Sequence, residues 1–312
     1  MARTFISSFT LLLLVLALAG AAHAQAGPPF ITDDPDTPGN KHWEINLGWI
    51  GDRNPYEGNY QVPDFDINYG LGDRIQLKYE VPIAIHELRG GYDNAGVYTP
   101  PSAATVDVGL GESLLGIKWR FYEHKPKAAP PPKEAEAEGE APEANFSIGT
   151  YPQLSLNNPT SSVSRNVVPP GPQFLLPLES NARIGPIRVD GEIGYWFTNQ
   201  HVPQSWIRGL VIGHEFSKKM EAYLELHDQQ DANTVGGAHK QRETTLGAGG
   251  RQSLNRENTF LLMLMAGRSF QRVVSGNGQP SWIAYVGVQI LLGPKEKNNQ
   301  VEQKIPDESG KK

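Results

Sequence analysis

Charged side chains recur at every second position in several extended stretches, and these are the residues best suited to do chemistry. In 74–82, R-I-Q-L-K-Y-E-V-P, the charged residues alternate with Ile75, Leu77, Tyr79 and Val81. Fixed charges along one face can steer and bind ions or dipolar solutes without any covalent step. The candidates of this kind are Arg74, Lys78, Glu80, Lys118, Arg120, Arg188, Asp190, Glu192, Glu221, Glu225 and His227.

Covalent chemistry has no comparable signature. The chain has no cysteine and contains neither an H-E-x-x-H nor a G-x-S-x-G motif. His201, His214 and His227 are evenly spaced, but they fall on different predicted strands and loops, which does not suit a metal site. The sequence therefore predicts no catalytic residues, no metal and no cofactor. The formal net charge of −6 argues against a nucleic-acid partner.

The alternation predicts β-strands with one apolar and one polar face, because successive side chains of a strand point to opposite sides. Twelve such strands are expected, at 42–51, 62–71, 74–82, 112–122, 145–156, 173–181, 187–197, 206–216, 220–228, 242–251, 258–268 and 282–292. Long and short connections alternate along the chain, except for 123–144. This asymmetry and an even strand number are typical of bacterial outer-membrane barrels. The predicted fold is all-β, a transmembrane antiparallel up-and-down barrel of about twelve strands.

Aromatic residues near strand ends fit the same fold, because such rings favour the two membrane interfaces. The candidates for these interfaces are Trp43, Trp49, Tyr69, Trp119, Phe121, Tyr195, Phe197 and Trp282. Two core tryptophans of a soluble β-sandwich are the alternative interpretation of Trp43 and Trp49.

The ends of the chain and one insertion stand apart from the strands. Residues 1–24 resemble a secretory signal, with Arg3, an apolar stretch at 11–19 and a small-x-small site before Gln25. A bacterial outer-membrane location follows, with the barrel at 25–293. The insertion at 123–144 is rich in Pro, Ala and Glu, and its composition predicts disorder. Residues 294–312 are expected to form a polar tail.

The stretch 27–40 is rich in turn-forming residues and is expected to be irregular. Its three acidic residues, Asp33, Asp34 and Asp36, lack the full spacing of a calcium loop. A solvated turn is the favoured interpretation.

Three stretches carry a resemblance to a known family: 29–48, 64–82 and 109–121, which include P-F-I-T-D-D-P-D-T-P-G-N, D-F-D-I-N-Y-G-L-G-D-R and G-L-G-E-S-L-L-G-I-K-W-R-F. They resemble the outer-membrane barrels named for the putative meta-pathway of phenol degradation. The resemblance implies a barrel that acts as a transporter. The last predicted strand also resembles the C-terminal signal that the barrel assembly machinery recognises, with Leu292 at its end.

Together these patterns predict a passive channel for small solutes, with aromatic or hydrophobic solutes as one class, embedded in outer-membrane lipid. The charged candidates would line the lumen, with basic residues on strands three and four facing Glu221 and Glu225 on the opposite wall. Two alternatives stay open: a structural outer-membrane barrel with a plugged lumen, and a periplasmic or secreted β-sandwich that binds a ligand.

Overall fold

The strands form because apolar and polar side chains alternate, and the computed structural model shows where each begins and ends. It describes residues 31–92, 98–99, 105–125, 145–235, 240–273 and 280–294. The strands are β1 (Trp43–Arg53), β2 (Glu57–Leu71), β3 (Ile75–Leu88), β4 (Gly91–Tyr92), β5 (Tyr98–Thr99), β6 (Thr105–Leu110), β7 (Ser113–His124), β8 (Asn145–Thr150), β9 (Gln153–Leu156), β10 (Gln173–Ile184), β11 (Ile187–Thr198), β12 (Ser205–Ser217), β13 (Met220–Asp231), β14 (Gln241–Ser253), β15 (Phe260–Val273) and β16 (Pro280–Leu292).

These strands close into one antiparallel barrel. Each barrel strand pairs with its neighbours in the chain, and β1 pairs with β16 from Trp43↔Leu292 to Arg53↔Trp282. The segments β6 and β7 form one interrupted barrel strand beside β3, and β8 and β9 form another beside β10. The barrel therefore has twelve strands, as predicted, and β4 with β5 forms a small separate ribbon. Closure pairs the backbone of every edge, which a sheet in lipid requires.

The two faces of the wall differ as the alternation predicts. In β7, Leu115, Ile117 and Trp119 are exposed on the outside, whereas Lys118 between them is only 1 % exposed. The same outer band of exposed apolar side chains continues over β10–β13. A charged interior inside an apolar exterior is the arrangement of a membrane barrel, and it is the reverse of a soluble β-sandwich. No helix in the described ranges is long and apolar enough to cross a membrane.

Several boundaries differ from the sequence-based expectation. β3 begins at Ile75, so that Arg74 lies in the β2–β3 turn and is exposed. β7 continues to His124 and includes the first two residues of the predicted insertion, whereas residues 126–144 lie outside the described part. Strands also extend beyond the apolar stretches because backbone pairing needs no apolar side chain. The predicted signal peptide and all of the predicted tail except Pro294 lie outside the described residues too.

The barrel has two distinct ends. At one end, β1 begins at Trp43 and β16 ends at Leu292, and we call this the terminal end. It also carries the turns β2–β3, β10–β11 and β12–β13. The opposite end, the loop end, carries the connections at 89–104, 157–172 and 199–204.

Candidate functional site: the barrel lumen

Residues 31–37, which we call the inner segment, run inside the barrel before β1. The backbone N–H of Thr32 donates a hydrogen bond to Glu225 Oε1 (2.7 Å), and that of Asp33 donates to Glu192 Oε2 (3.0 Å). The Thr37 hydroxyl donates to the backbone oxygen of Asp73 at 3.0 Å, near the terminal end. The expectation of a solvated turn at 27–40 was therefore wrong for this part: Thr32, Asp34 and Thr37 are buried.

Arg188 of β11 and Asp34 form the most deeply buried ion pair of the inner segment. Arg188 is 2 % exposed and Asp34 is fully buried, and the arginine donates a hydrogen bond to Asp34 Oδ2. Arg188 Nε also donates to Asp190 Oδ2 at 2.7 Å. A carboxylate as buried as Asp34 needs such a partner, because an isolated buried charge is strongly unfavourable.

Two further basic candidates, Lys118 and Arg120, also contact the inner segment. Lys118 Nζ lies 2.6 Å from Asp33 Oδ1, donates to the backbone oxygen of Asp34, and sits 4.6 Å from the centre of the Tyr151 ring. Asp36 lies among three arginines, at 3.5 Å from Arg120, 3.4 Å from Arg183 and 3.9 Å from Arg188. The acidic residues of the inner segment therefore pair with two of the four residues of the predicted basic wall, Lys118 and Arg120, and with Arg183 and Arg188 of β10 and β11.

Two glycines make room for the inner segment. A Cβ added at Gly209 of β12 would lie 2.3 Å from Thr32 Oγ1, and one added at Gly149 of β8 would lie 2.7 Å from Pro35 Cβ. Since real Cβ atoms do not approach so closely, a larger side chain at either position would have to displace the segment. The wall from β7 to β13 is thus shaped to hold residues 31–37.

The predicted acidic wall is placed differently from the expectation. Glu221 Oε2 accepts hydrogen bonds from its neighbour Arg251 at 2.6 and 2.9 Å, and Glu225 accepts the Thr32 N–H. These glutamates do not face the basic wall across an open lumen, because the inner segment lies between them. His227 is also buried, on the same strand, and it is 6 % exposed.

Beside the inner segment, the lumen keeps an open cavity of about 230 Å³. Its lining includes β1–β3, β15 and β16, together with Ile31–Asp33 of the inner segment. Lys78 lies there, with its Nζ 2.6 Å from Glu80 and 3.5 Å from Asp66. A second cavity, of about 280 Å³, shares Ile50 and Glu80 with the first and reaches Val167–Pro169 of the β9–β10 loop. We call them the inner cavity and the outer cavity.

The predicted interface aromatics fall into two groups. Trp43, Tyr69, Trp119 and Phe121 lie towards the terminal end, with Trp43 and Tyr69 packed at 4.6 Å between ring centres. Trp49, Tyr195, Phe197 and Trp282 lie towards the loop end. The Tyr195 ring packs against Phe197 and against Trp206, both at 4.8 Å. Trp206 and Tyr60, which the sequence-based selection omitted, belong to the second group.

The sequence-based selection also missed the acidic residues that matter most inside. Asp33, Asp34 and Asp36 were assigned to a turn, and Glu44, Asp64 and Asp66 were not selected as site residues. The last three do follow the inward phase of β1 and β2, so the alternation carried a signal for them. No local pattern marks the inner segment, since the basic partners of Asp33 and Asp34 are 85 and 154 residues away along the chain.

The fold and the polar lumen define a class: a twelve-stranded antiparallel β-barrel with an apolar, lipid-facing exterior. No protein-family model matches the chain, and no curated protein sequence does. Among solved structures, it is similar to the COG4313 outer membrane channel from Pseudomonas putida F1, at 11 % identity over 83 % of this chain and 98 % of that one, with a TM-score of 0.57.

Weaker likenesses are to the KdgM porin and to the CymD monoaromatic hydrocarbon channel. They have 9 % and 7 % identity and TM-scores of 0.43 and 0.39. They cover 79 % and 82 % of this chain, and 98 % and 89 % of the other chains. At these identities the similarity to the COG4313 channel shows the fold alone.

Proposed function

We propose that the protein is an outer-membrane channel for small solutes, narrowed by its own inner segment. The observation that carries this proposal is the pair of cavities inside a closed barrel whose outer face is apolar. The interior of a barrel that passes solutes is polar and has room for water. The outer-membrane location, and cleavage of residues 1–24 on export, are parts of the same proposal, supported by the lipid-facing band and by the signal-like N-terminus.

The class of solute follows from the lining. The inner cavity has apolar side chains from β15 and β16, Met263, Met265, Ile283 and Tyr285, beside polar residues of the adjoining strands β1–β3. Such a space suits a small molecule with an apolar part, and an aromatic or hydrophobic solute is one such molecule. The resemblance to the phenol meta-pathway barrels supports the same class, and we propose that the assembly machinery recognises β16.

Conductance is the direct test of the channel. Purified protein, shown to be folded by heat-modifiable gel mobility, is inserted into planar bilayers beside a variant that lacks residues 31–37. We expect a small conductance for the full chain and a larger one for the variant, because the inner segment fills part of the lumen. Equal conductance would show that the segment does not narrow the path.

A structural barrel with a closed lumen is the second candidate. The fully buried Asp34–Arg188 pair favours it, because it fixes the inner segment across the lumen. In this case neither protein would conduct, although both would insert into the bilayer. A lack of conductance in the two folded proteins would therefore replace the channel proposal by this one.

A further inference from the structure

The two walls of the inner cavity are chemically unlike each other. One wall, from β1–β3, carries Glu44, Asp64, Asp66, Gln76 and Glu80. The adjoining part of the barrel wall, from β15 and β16, carries Met263, Met265, Ile283 and Tyr285. Met263 and Met265 are buried on alternate positions of β15, and the flexible thioether side chain of methionine adapts to ligands of different shape. A ligand that satisfies both walls must have one polar and one apolar end.

Negative charge exceeds positive charge in this lining. Lys118 forms an ion pair with Asp33, and Lys78 forms ion pairs with both Asp66 and Glu80. Neither Glu44 nor Asp64 has an ion-pair partner among the described residues, although they are only 2 % and 6 % exposed. Buried carboxylates are normally paired with a cation. The polar side of the cavity therefore carries more acidic than basic residues, with Lys78 as its one basic residue from β1–β3.

Several buried acceptor oxygens at the same place have no hydrogen-bond donor among the described residues. Side-chain oxygens of Glu44, Asn46, Asp64 and Gln76 are buried and accept no hydrogen bond from the described residues: Oε2, Oδ1, Oδ1 and Oε1, respectively. All four atoms are acceptors, and all four residues line the cavity. An unsatisfied buried acceptor is costly. A bound group that carries both positive charge and N–H donors would satisfy this wall.

The backbone around Asp64 is also irregular. The pairing of β2 with β1 shifts between Gly48 and Ile50, and its pairing with β3 shifts between Gln61 and Asp64. Bulges of this kind change the direction of side chains and are frequent beside functional sites. Asp64 thus lies where both neighbours of β2 change register, at the polar wall of the cavity.

The approach from the loop end has the same sign of charge. The outer cavity is lined by Asp52, Glu80 and Glu112, and no lysine or arginine occurs among the described residues that line it. Charges of one sign in a low-dielectric passage concentrate counter-ions. A cation would therefore be attracted along this path to the inner cavity, with which the outer cavity shares Glu80.

We propose that the inner cavity binds small organic cations, with a primary ammonium group at Asp64, an apolar part against Met263, Met265 and Tyr285, and Glu44 adding negative charge further along the same cavity. An aromatic face such as that of Tyr285 also attracts cations. This inference rests on the proposed channel function in one respect: the bound cation would be a solute that passes through the barrel. Binding itself can be measured without conduction.

The test is isothermal titration calorimetry on the full folded chain in non-ionic detergent, with 2-phenylethylammonium as the probe. The neutral analogue 2-phenylethanol has the same apolar part without the charge. We expect the ammonium to bind about tenfold or more tightly than the alcohol, because it makes charge-assisted hydrogen bonds. Equal affinity of the two compounds would overturn the proposal, and this comparison needs no variant.

Variants then locate the site. Asp64→Asn should weaken ammonium binding about tenfold or more, whereas Asp73→Asn, which removes one acidic residue from an exposed turn, should leave it within about twofold. Equal loss in both would mean that only net charge matters, and would overturn the assignment to the inner cavity. If Asp64→Asn does not fold, Glu44→Gln takes its place beside the same control.

The outcomes for binding and for conduction are separate. Ammonium binding by a barrel that does not conduct would leave the cation site standing and remove the channel function. Conduction without preference for the ammonium would keep the channel and remove the cation site.

Discussion

The two sides of the lumen are built from the same alternating strands, yet the charged side chains on the two sides find their ion-pair partners in different ways. On the side from β7 to β13, which we call the filled side, the inner segment supplies Asp33, Asp34 and Asp36 to the basic residues of the wall. On the other side, the cavity side, one lysine serves Asp66 and Glu80, and Asp64 has no ion-pair partner among the described residues. Inward-facing charges thus serve two purposes: some hold the chain together, and others remain available to a ligand.

This difference separates stability from binding. Charged side chains on the filled side pair with other residues of the protein, and their removal should affect folding. Charges on the cavity side are left partly unsatisfied, and their removal should affect solutes. Not every acid on the filled side has a hydrogen-bond partner, since both carboxylate oxygens of the buried Glu179 accept none from the described residues. The difference between the filled side and the cavity side therefore depends on the inner segment and on the wall residues that hold it. These residues can be substituted one at a time.

The largest effect is expected at the centre of the filled side. Arg188→Met leaves Asp34 and Asp190 buried without their cation, and should lower the free energy of unfolding by about 3–5 kcal/mol. The matched control is Arg208→Met, which removes a pair with Asp228 at 2.9 Å whose arginine is 45 % exposed and should cost about 0–1 kcal/mol. Urea unfolding from lipid vesicles measures both. A similar cost for the two variants would mean that the inner segment is not anchored at Arg188.

The outer faces behind the two sides should behave alike. Ile212 of β12 lies behind the filled side and Phe65 of β2 behind the cavity side, and both are exposed near strand centres. Ile212→Arg and Phe65→Arg should each cost about 2–4 kcal/mol in lipid vesicles, because each places a charge in the hydrocarbon region. Ile212→Val and Phe65→Leu serve as apolar controls. A large cost at only one position would show that the two sides differ on their outer faces too.

A smaller effect is expected from a single methyl group on each side. Gly209→Ala on the filled side would bring its Cβ to 2.3 Å from Thr32, and should cost about 1–3 kcal/mol or displace the inner segment. Gly247→Ala in β14 meets nothing closer than 3.6 Å and should cost less than about 0.5 kcal/mol. Unfolding free energy and bilayer conductance are measured for both. If the two variants behave identically, the wall of β12 does not hold the segment.

The smallest effect is expected on the cavity side. Lys78→Gln removes the cation that Asp66 and Glu80 share, and should shift the reversal potential in a salt gradient towards cation selectivity with little change in folding. The shift should shrink in concentrated salt, where the screening length falls to about 3 Å at 1 M. Lys219→Gln, in the exposed β12–β13 turn, is the control. An unchanged reversal potential in a conducting Lys78→Gln variant would place Lys78 off the path.

The sequence by itself determined the wall of this protein. Period-two alternation, as in 74–82 and 112–122, is a local property, and it was enough to predict twelve strands and to place Leu77 outside and Lys118 inside. Strand ends were less well determined, as Arg74 shows, because backbone pairing continues where the apolar pattern stops.

Only the tertiary structure decided what fills the lumen inside this wall. Asp34 meets Arg188, 154 residues later, and Asp33 meets Lys118, 85 residues later. Nothing near Asp33–Asp36 in the chain distinguishes a solvated turn from a segment inside a barrel. Pairing of buried charges depends on distance through space, and closure of the barrel sets those distances. For the same reason, the alternation could place Asp64 on the inner face but could not show that it has no ion-pair partner among the described residues.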